Sequence, residues 1–359
     1  MQIGIDSFAA VVSDPKTGVT LSPAERLRNL IEEIELADQV GLDTFGVGEH
    51  HRAEYLDSAP VVILAGAATR TKTIRLTSAV TVLSAADPVR VFQSFATLDL
   101  LSNGRAEIVV GRGSFTEAYP LFGLEIQDYD DLFEQKLDLL LALRKEEHVT
   151  WQGRHRPPLT GQGVYPRPVQ NPLPLWIGVG GTPESFVRAG LLGLPLMVAI
   201  IGGQPARFRP LIELYRHAGA KAGYKPEQLK VGVHLFGFVG DTTKQAADDF
   251  YPGYERMFTK IGAERGWGRV TRAQFEATMG PEGAYVIGDP ERVTEKLLRI
   301  NESLGGLDRV TFQMTNVLMP HAKMKHAIEL LGTKVAPVIR KDLESSVKGR
   351  SPRSLDAVP

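Results

Sequence analysis

Short apolar runs alternate with amphipathic stretches along almost the whole chain. Runs at Ile3–Phe8, Thr44–Val47, Ile74–Val82, Ala106–Val110, Leu175–Val179, Leu194–Ile200, Lys230–Phe238 and Arg309–Met314 read as mostly buried strands. Between them, apolar residues recur at helical spacing near Pro23–Val40, Ala59–Thr69, Pro88–Leu101, Tyr129–Lys145, Pro183–Leu191, Pro205–Ala222, Pro290–Ser303 and His321–Pro337. Several of these segments open on a proline, which suits the first helical turn because its missing N–H would be unpaired there anyway. In the third, Val89, Phe92, Phe95, Ala96, Leu98 and Leu101 line one face, and Ser102-Asn103-Gly104 supplies a stop. Eight strand–helix units predict an α/β fold, a (β/α)8 TIM barrel. A doubly wound sheet could absorb the same count, but eight closing units favour the barrel.

Two stretches interrupt the alternation. Residues 149–173 are rich in Pro, Gly and Arg and read as a loop excursion, with short polar strands at best. Residues 241–283 separate the seventh strand from its helix, with a helical start at Thr243–Ile261 and a cap over Trp267–Pro281. Insertions at the C-terminal face of a barrel shape a substrate pocket or an oligomer contact. The reading is thus one barrel domain over residues 1–343. The polar, aperiodic tail 344–359 is expected to be disordered.

Composition narrows the chemistry. With 359 residues, 43% hydrophobic and 23% charged, the chain can bury a large core, and a net charge of -1 leaves no electrostatic footprint for nucleic acid or an acidic membrane. The absence of cysteine excludes disulfides and thiolate chemistry. The start MQIGIDSF lacks the basic and apolar pattern of a signal peptide, so none is expected, and the apolar run Leu191–Ile201 is short and broken by Gly193 and Pro195. A cytoplasmic protein is expected.

Three groups of residues carry candidate chemistry, all at strand C-terminal ends, where parallel α/β proteins bind ligands. Glu49-His50-His51 follows the second strand. It reads as a general acid/base site, a structural hydrogen-bond cluster or, least well, metal ligands, since adjacent histidines do not easily share one ion. Arg112, between two glycines after the fourth strand, is either an anion or carbonyl anchor or a solvated loop arginine. Gly178-Val179-Gly180-Gly181-Thr182-Pro183-Glu184-Ser185 joins the fifth strand to a helix. Free N–H groups at such a helix start suit a phosphate. The same stretch also reads as a tight barrel loop with Thr182 capping the helix. It lacks the third glycine of a dinucleotide fingerprint.

These motifs, in order, resemble the bacterial luciferase-like flavin-dependent monooxygenases. The resemblance runs through GLDTFGVGEHH at 41–51, TSAVTVLSAADPVR at 77–90, ATLDLLSNGRAEIVVGRG at 96–113, PLWIGVGGTPES at 174–185, AGLLGLPLM at 189–197 and IGDPERVTEKL at 287–297. It implies a catalytic role for His50 near the flavin, with Glu49 beside it. It places a non-proline cis peptide at Ser78-Ala79 against the flavin ring and Arg112 close by. Phosphate contacts fall to Gly180, Gly181, Thr182 and Ser185. Some family members carry acidic or hydroxyl side chains where this chain has Gly180-Gly181, so the backbone would supply most of those contacts. The implied reaction uses reduced FMN and O2, through a C4a-(hydro)peroxyflavin, to oxygenate a small organic substrate. No metal is implied. Reduced flavin would come from a separate NAD(P)H-dependent reductase, and a homodimer is expected. The same fold also implies two alternatives: hydride transfer with the deazaflavin F420, or a non-catalytic flavin-binding protein.

Overall fold

Apolar runs without polar alternation suit a sheet covered on both faces, and these runs pack that way. The computed structural model describes residues 1–349. Among them eight parallel strands close into a barrel: β1 (Gln2–Ser7), β2 (Thr44–Val47), β3 (Arg75–Ser78), β4 (Ala106–Gly111), β5 (Leu175–Val179), β6 (Leu196–Ile200), β7 (Val231–Val239) and β8 (Arg309–Gln313). Each pairs with its neighbours in chain order, and the ring shuts where β1 meets β8 with Ile3 opposite Val310. The (β/α)8 barrel expected from the alternation is therefore the fold.

Helices surround the barrel with starts and stops close to those predicted. Pro88–Leu101 begins where the Asp87 carboxylate accepts from the N–H groups of Val89 and Arg90, and it ends before the left-handed Asn103 and Gly104. Pro183–Leu191 and Pro290–Ser303 also run from a proline in the first turn.

The departures are local. The predicted strand Ile74–Val82 is two pieces, because β3 stops at Ser78 and Thr81–Val82 pairs separately with β4. The excursion near 149–173 contains an antiparallel hairpin, His148–Trp151 with Leu159–Gly163. The second insertion is mostly helical: Thr243–Arg265, ended by left-handed Gly266, then Arg272–Met279 behind a Thr271/Gln274 capping box. A short strand, Val286–Gly288, then pairs with the far end of β7. The last helix, Ala336–Gly349, takes in the first residues of the polar tail that starts at Glu344. Residues 350–359 lie outside the described residues. No helix among the described residues is long and apolar enough to cross a membrane.

The barrel floor is closed by charge. Arg309, 1% exposed, donates to Glu107 Oε2 at 2.7 Å and to Gln2 Oε1 at 2.9 and 2.7 Å, and its guanidinium lies 4.3 Å from the centre of the Trp176 ring. Arg75 reaches the other Glu107 oxygen at 3.2 Å.

A second buried cation fastens the Arg272–Met279 insertion to the barrel. Lys296 Nζ donates to the carbonyls of Met279, Gly280 and Tyr285 at 3.0, 2.8 and 2.6 Å. Burial, with Arg292 and Arg299 nearby, pushes its pKa down from 10.5 to about 7. Between those values the unfolded chain binds the extra proton, so this group's contribution to stability rises with pH across that window. Lys296→Met should leave the carbonyls without their donor, lose about 1–3 kcal/mol and flatten that rise. Urea unfolding at several pH values checks both.

Candidate active site

The C-terminal mouth of the barrel opens into a cavity of about 610 Å³, lined by the ends of its strands and by the helix Thr243–Arg265. That volume falls within the roughly 300–1,000 Å³ of cofactor and small-molecule sites. Every sequence-predicted site residue except Ser185 lines it.

His50 leaves the end of β2 and turns inward. Its Nδ1 lies 2.9 Å from Oδ2 of Asp57, a fully buried carboxylate seven residues on. Burial raises the Asp57 pKa, and His50 opposes that rise. Gly48 makes the arrangement possible, because a Cβ there would sit 2.7 Å from Asp57 Oδ2 and 2.9 Å from His50 Cε1. Tyr55 packs on the His50 ring at 4.7 Å, and burial pushes its hydroxyl up to about 12. His50 Nε2 has no partner among the described residues. Since the carboxylate can only accept, the neutral ring carries its proton on Nδ1 and offers Nε2 to the cavity as acceptor.

Glu49 is committed differently. Its Oε2 accepts from the Val82 N–H at 3.0 Å and its Oε1 lies 3.4 Å from His51 Nε2, so it ties the second strand's exit to the third's. Ser78 is also committed: buried, its Oγ donates to the Val109 carbonyl at 2.9 Å and accepts from the Val109 N–H at 3.1 Å. The cis peptide expected at Ser78-Ala79 lies one bond later, between Ala79 and Val80. Val80 fits against two glycines, since a Cβ on Gly111 or Gly178 would come within 2.7 or 2.9 Å of its side chain.

The anion-binding expectation falls on the opposite rim. Arg112 pairs with Asp130, donates to Ser185 Oγ at 3.3 Å and lies 5.0 Å from the Tyr129 ring centre. The N–H groups of Gly180, Gly181 and Thr182 enter no hydrogen bond among the described residues. Thr182 stands at the helix N-cap, but its hydroxyl does not cap, which corrects that part of the tight-loop reading. A Cβ on Gly180 or Gly181 would meet nothing within 4 Å, and neither residue has a positive φ. The chain's own packing therefore does not require glycine there. Together with the uncommitted amides and a guanidinium alongside, this rim fits an approaching phosphate.

Sequence reasoning missed Asp57, Val80 and a second histidine–carboxylate pair, His234 with Asp6. Asp57 sits in an irregular loop with no spacing to mark it. His234 had a signal: it is the one ionisable residue in the apolar run VGVHLFGFV. No cluster of His, Cys, Asp and Glu among the described residues could hold a metal ion.

Comparison with known proteins agrees with this architecture. The family profile for luciferase-like monooxygenases matches residues 1–307, and the chain belongs to that family. The 4-hydroxyprotoasukamycin monooxygenase of Streptomyces nodosus subsp. asukaensis is 28% identical, over 92% of this chain and 91% of its own length. Among solved structures, the oxygenating constituent of 3,6-diketocamphane monooxygenase from Pseudomonas putida, a type II Baeyer–Villiger enzyme in complex with FMN, superposes with a TM-score of 0.77 at 20% identity, covering 94% of this chain and 98% of that one. An F420-dependent secondary alcohol dehydrogenase, in complex with an F420–acetone adduct, reaches 0.72 at 20% identity, covering 94% and 99%. At such identity both structures speak for the fold alone.

Proposed function

We propose that this chain is a flavin-dependent monooxygenase that takes reduced FMN and O2 and oxygenates a small organic molecule. The observation that carries the reading is one cavity with uncommitted amides and Arg112 at one rim, Arg112 backed by Ser185, and a His50–Asp57 pair in its wall. Bound reduced flavin would supply the two electrons that let O2 give one oxygen atom to substrate and one to water. The chain's own work is binding and proton handling. The Gly180–Thr182 amides and the Arg112 guanidinium hold the phosphate; Val80 and its neighbours bound the ring site. Asp57 fixes the His50 tautomer so that Nε2 receives and returns a proton inside the cavity. Phe115, Trp267 and Arg265 line its outer part, where Arg265 bonds the Ser114 carbonyl at 2.7 Å. With no nicotinamide fingerprint in the chain, a separate NAD(P)H-dependent reductase would supply reduced FMN to this enzyme, which would act as a cytoplasmic homodimer.

Titration with reduced and oxidised FMN and F420 under anaerobic conditions, followed by admission of air, tests the reading. Binding of reduced FMN with flavin-dependent O2 consumption supports it. Preference for F420 without O2 consumption moves the assignment to hydride transfer, and binding of neither sinks both. Gly181→Asp sharpens the test, because the fold has room for the side chain while its charge faces the phosphate. Stability should stay within about 0.5 kcal/mol. FMN should bind roughly ten- to a hundredfold more weakly, and riboflavin, which has no phosphate, about as before.

A further inference from the structure

Across the cavity from the phosphate rim, β7, β8 and β1 assemble a second buried dyad that the proposed reaction leaves unused. His234 Nδ1 on β7 lies 2.6 Å from Asp6 Oδ2 on β1, and the same oxygen accepts from Thr311 Oγ1 on β8. The Asp6 carboxylate occupies space that Gly46 leaves open, since a Cβ at 46 would overlap it. An acceptor-only carboxylate keeps the proton on Nδ1 and leaves Nε2 as the acceptor of the neutral ring. Nε2 has no partner among the described residues, and His234 lines the cavity. Phe8 stands between the two histidines, 4.5 Å from the His50 ring and 6.0 Å from that of His234, to which it is nearly parallel at 14°. Met197, Phe236, Met257 and Phe258 make the surrounding wall apolar. On this side of the cavity, a proton acceptor set in an apolar, aromatic wall suits a flat apolar molecule with an acidic hydroxyl.

We propose that His234, oriented by Asp6 and Thr311, takes the proton of a phenolic hydroxyl, and that the substrates are phenols. The inference rests on the flavin reading above. A phenol ionises near ~10, a few units from the ~6.5 of imidazole, whereas an aliphatic alcohol holds its proton far more tightly. The substrate O–H bond breaks as Nε2–H forms, and the electron pair left on oxygen enriches the ring carbons ortho and para to it. One of these carbons forms the new C–O bond and loses its hydrogen as a proton. Phenol, O2 and reduced flavin thus give a dihydroxyarene, oxidised flavin and water.

The test uses 4-nitrophenol, whose ionised form absorbs visible light, added to the protein–FMN complex at a pH low enough that the free probe is almost wholly neutral, and read as a difference spectrum against the summed spectra of the complex and the free probe. The wild type should bind the probe as its phenolate. His234→Gln should lose the phenolate band and bind the probe roughly ten- to a hundredfold more weakly. Asp6→Asn, which keeps the imidazole without its anchor, should fall between them. His50→Gln should keep the band. An unchanged band in His234→Gln, a loss that follows His50 instead, or no probe binding by the wild type overturns the proposal. FMN affinity, read in parallel from fluorescence quenching, keeps the two readings apart: a protein that binds FMN and not the probe loses only the phenol assignment.

Discussion

Asp57→Asn should lower turnover of bound reduced FMN under air by roughly 10²–10⁴-fold while FMN affinity stays within about threefold. The side chain keeps its shape, so the His50 ring stays where it is. What changes is the partner of Nδ1, 2.9 Å away: a neutral amide no longer steadies the imidazolium formed when Nε2 takes a proton. The phosphate rim belongs to β4 and β5 and is untouched, which is why binding should survive. Stability should hold or rise, because burial already works against the Asp57 charge and raises its pKa. Stopped-flow reoxidation beside an FMN titration separates these effects. Turnover equal to wild type at full FMN occupancy would remove the dyad from the proton path.

The largest stability effect is expected at the other end of the barrel. Arg309→Met should destabilise by about 3–5 kcal/mol, the usual consequence of removing one partner of a buried ion pair. Glu107, 4% exposed, would keep only Arg75 at 3.2 Å, and Gln2 Oε1 would lose both its donors. The Trp176 face would lose its cation as well. A second change, Glu107→Met, should recover much of the loss, because the desolvated charge goes with it. Urea midpoints of the single and double variants measure this. FMN affinity should change far less than stability, since Arg309 meets the cavity from its floor, at the end away from the phosphate rim.

How much was legible followed from how local each signal is. Pro88–Leu101, Tyr129–Lys145, Pro183–Leu191 and Pro290–Ser303 agree with the sequence reading at both ends. Three of them open on a proline in the first turn, and the stops are marked nearby. Val286–Gly288 went unread because three residues carry no period of their own, and pairing with β7 defines them. In the site, His50, Arg112 and the glycine loop could be placed because each follows a strand directly. Their partners could not. Asp57 meets His50 through the path of a loop, and Asp6 meets His234 across 228 residues, through barrel closure alone. Ser78 shows the converse: a polar residue in the right sector whose hydroxyl is used up on the neighbouring strand.

Gly48 carries a consequence for reading related sequences. Histidine after the second strand is a weak marker of a working pair, because the imidazole can remain while its carboxylate is displaced. Any side chain at 48 would press on Asp57 Oδ2 and His50 Cε1 together. A homologue with His50 and Asp57 intact but alanine at 48 could not hold this geometry, however complete its catalytic residues look in an alignment. Glycine at that position is therefore the more informative letter: it records whether the space for the pair has been kept.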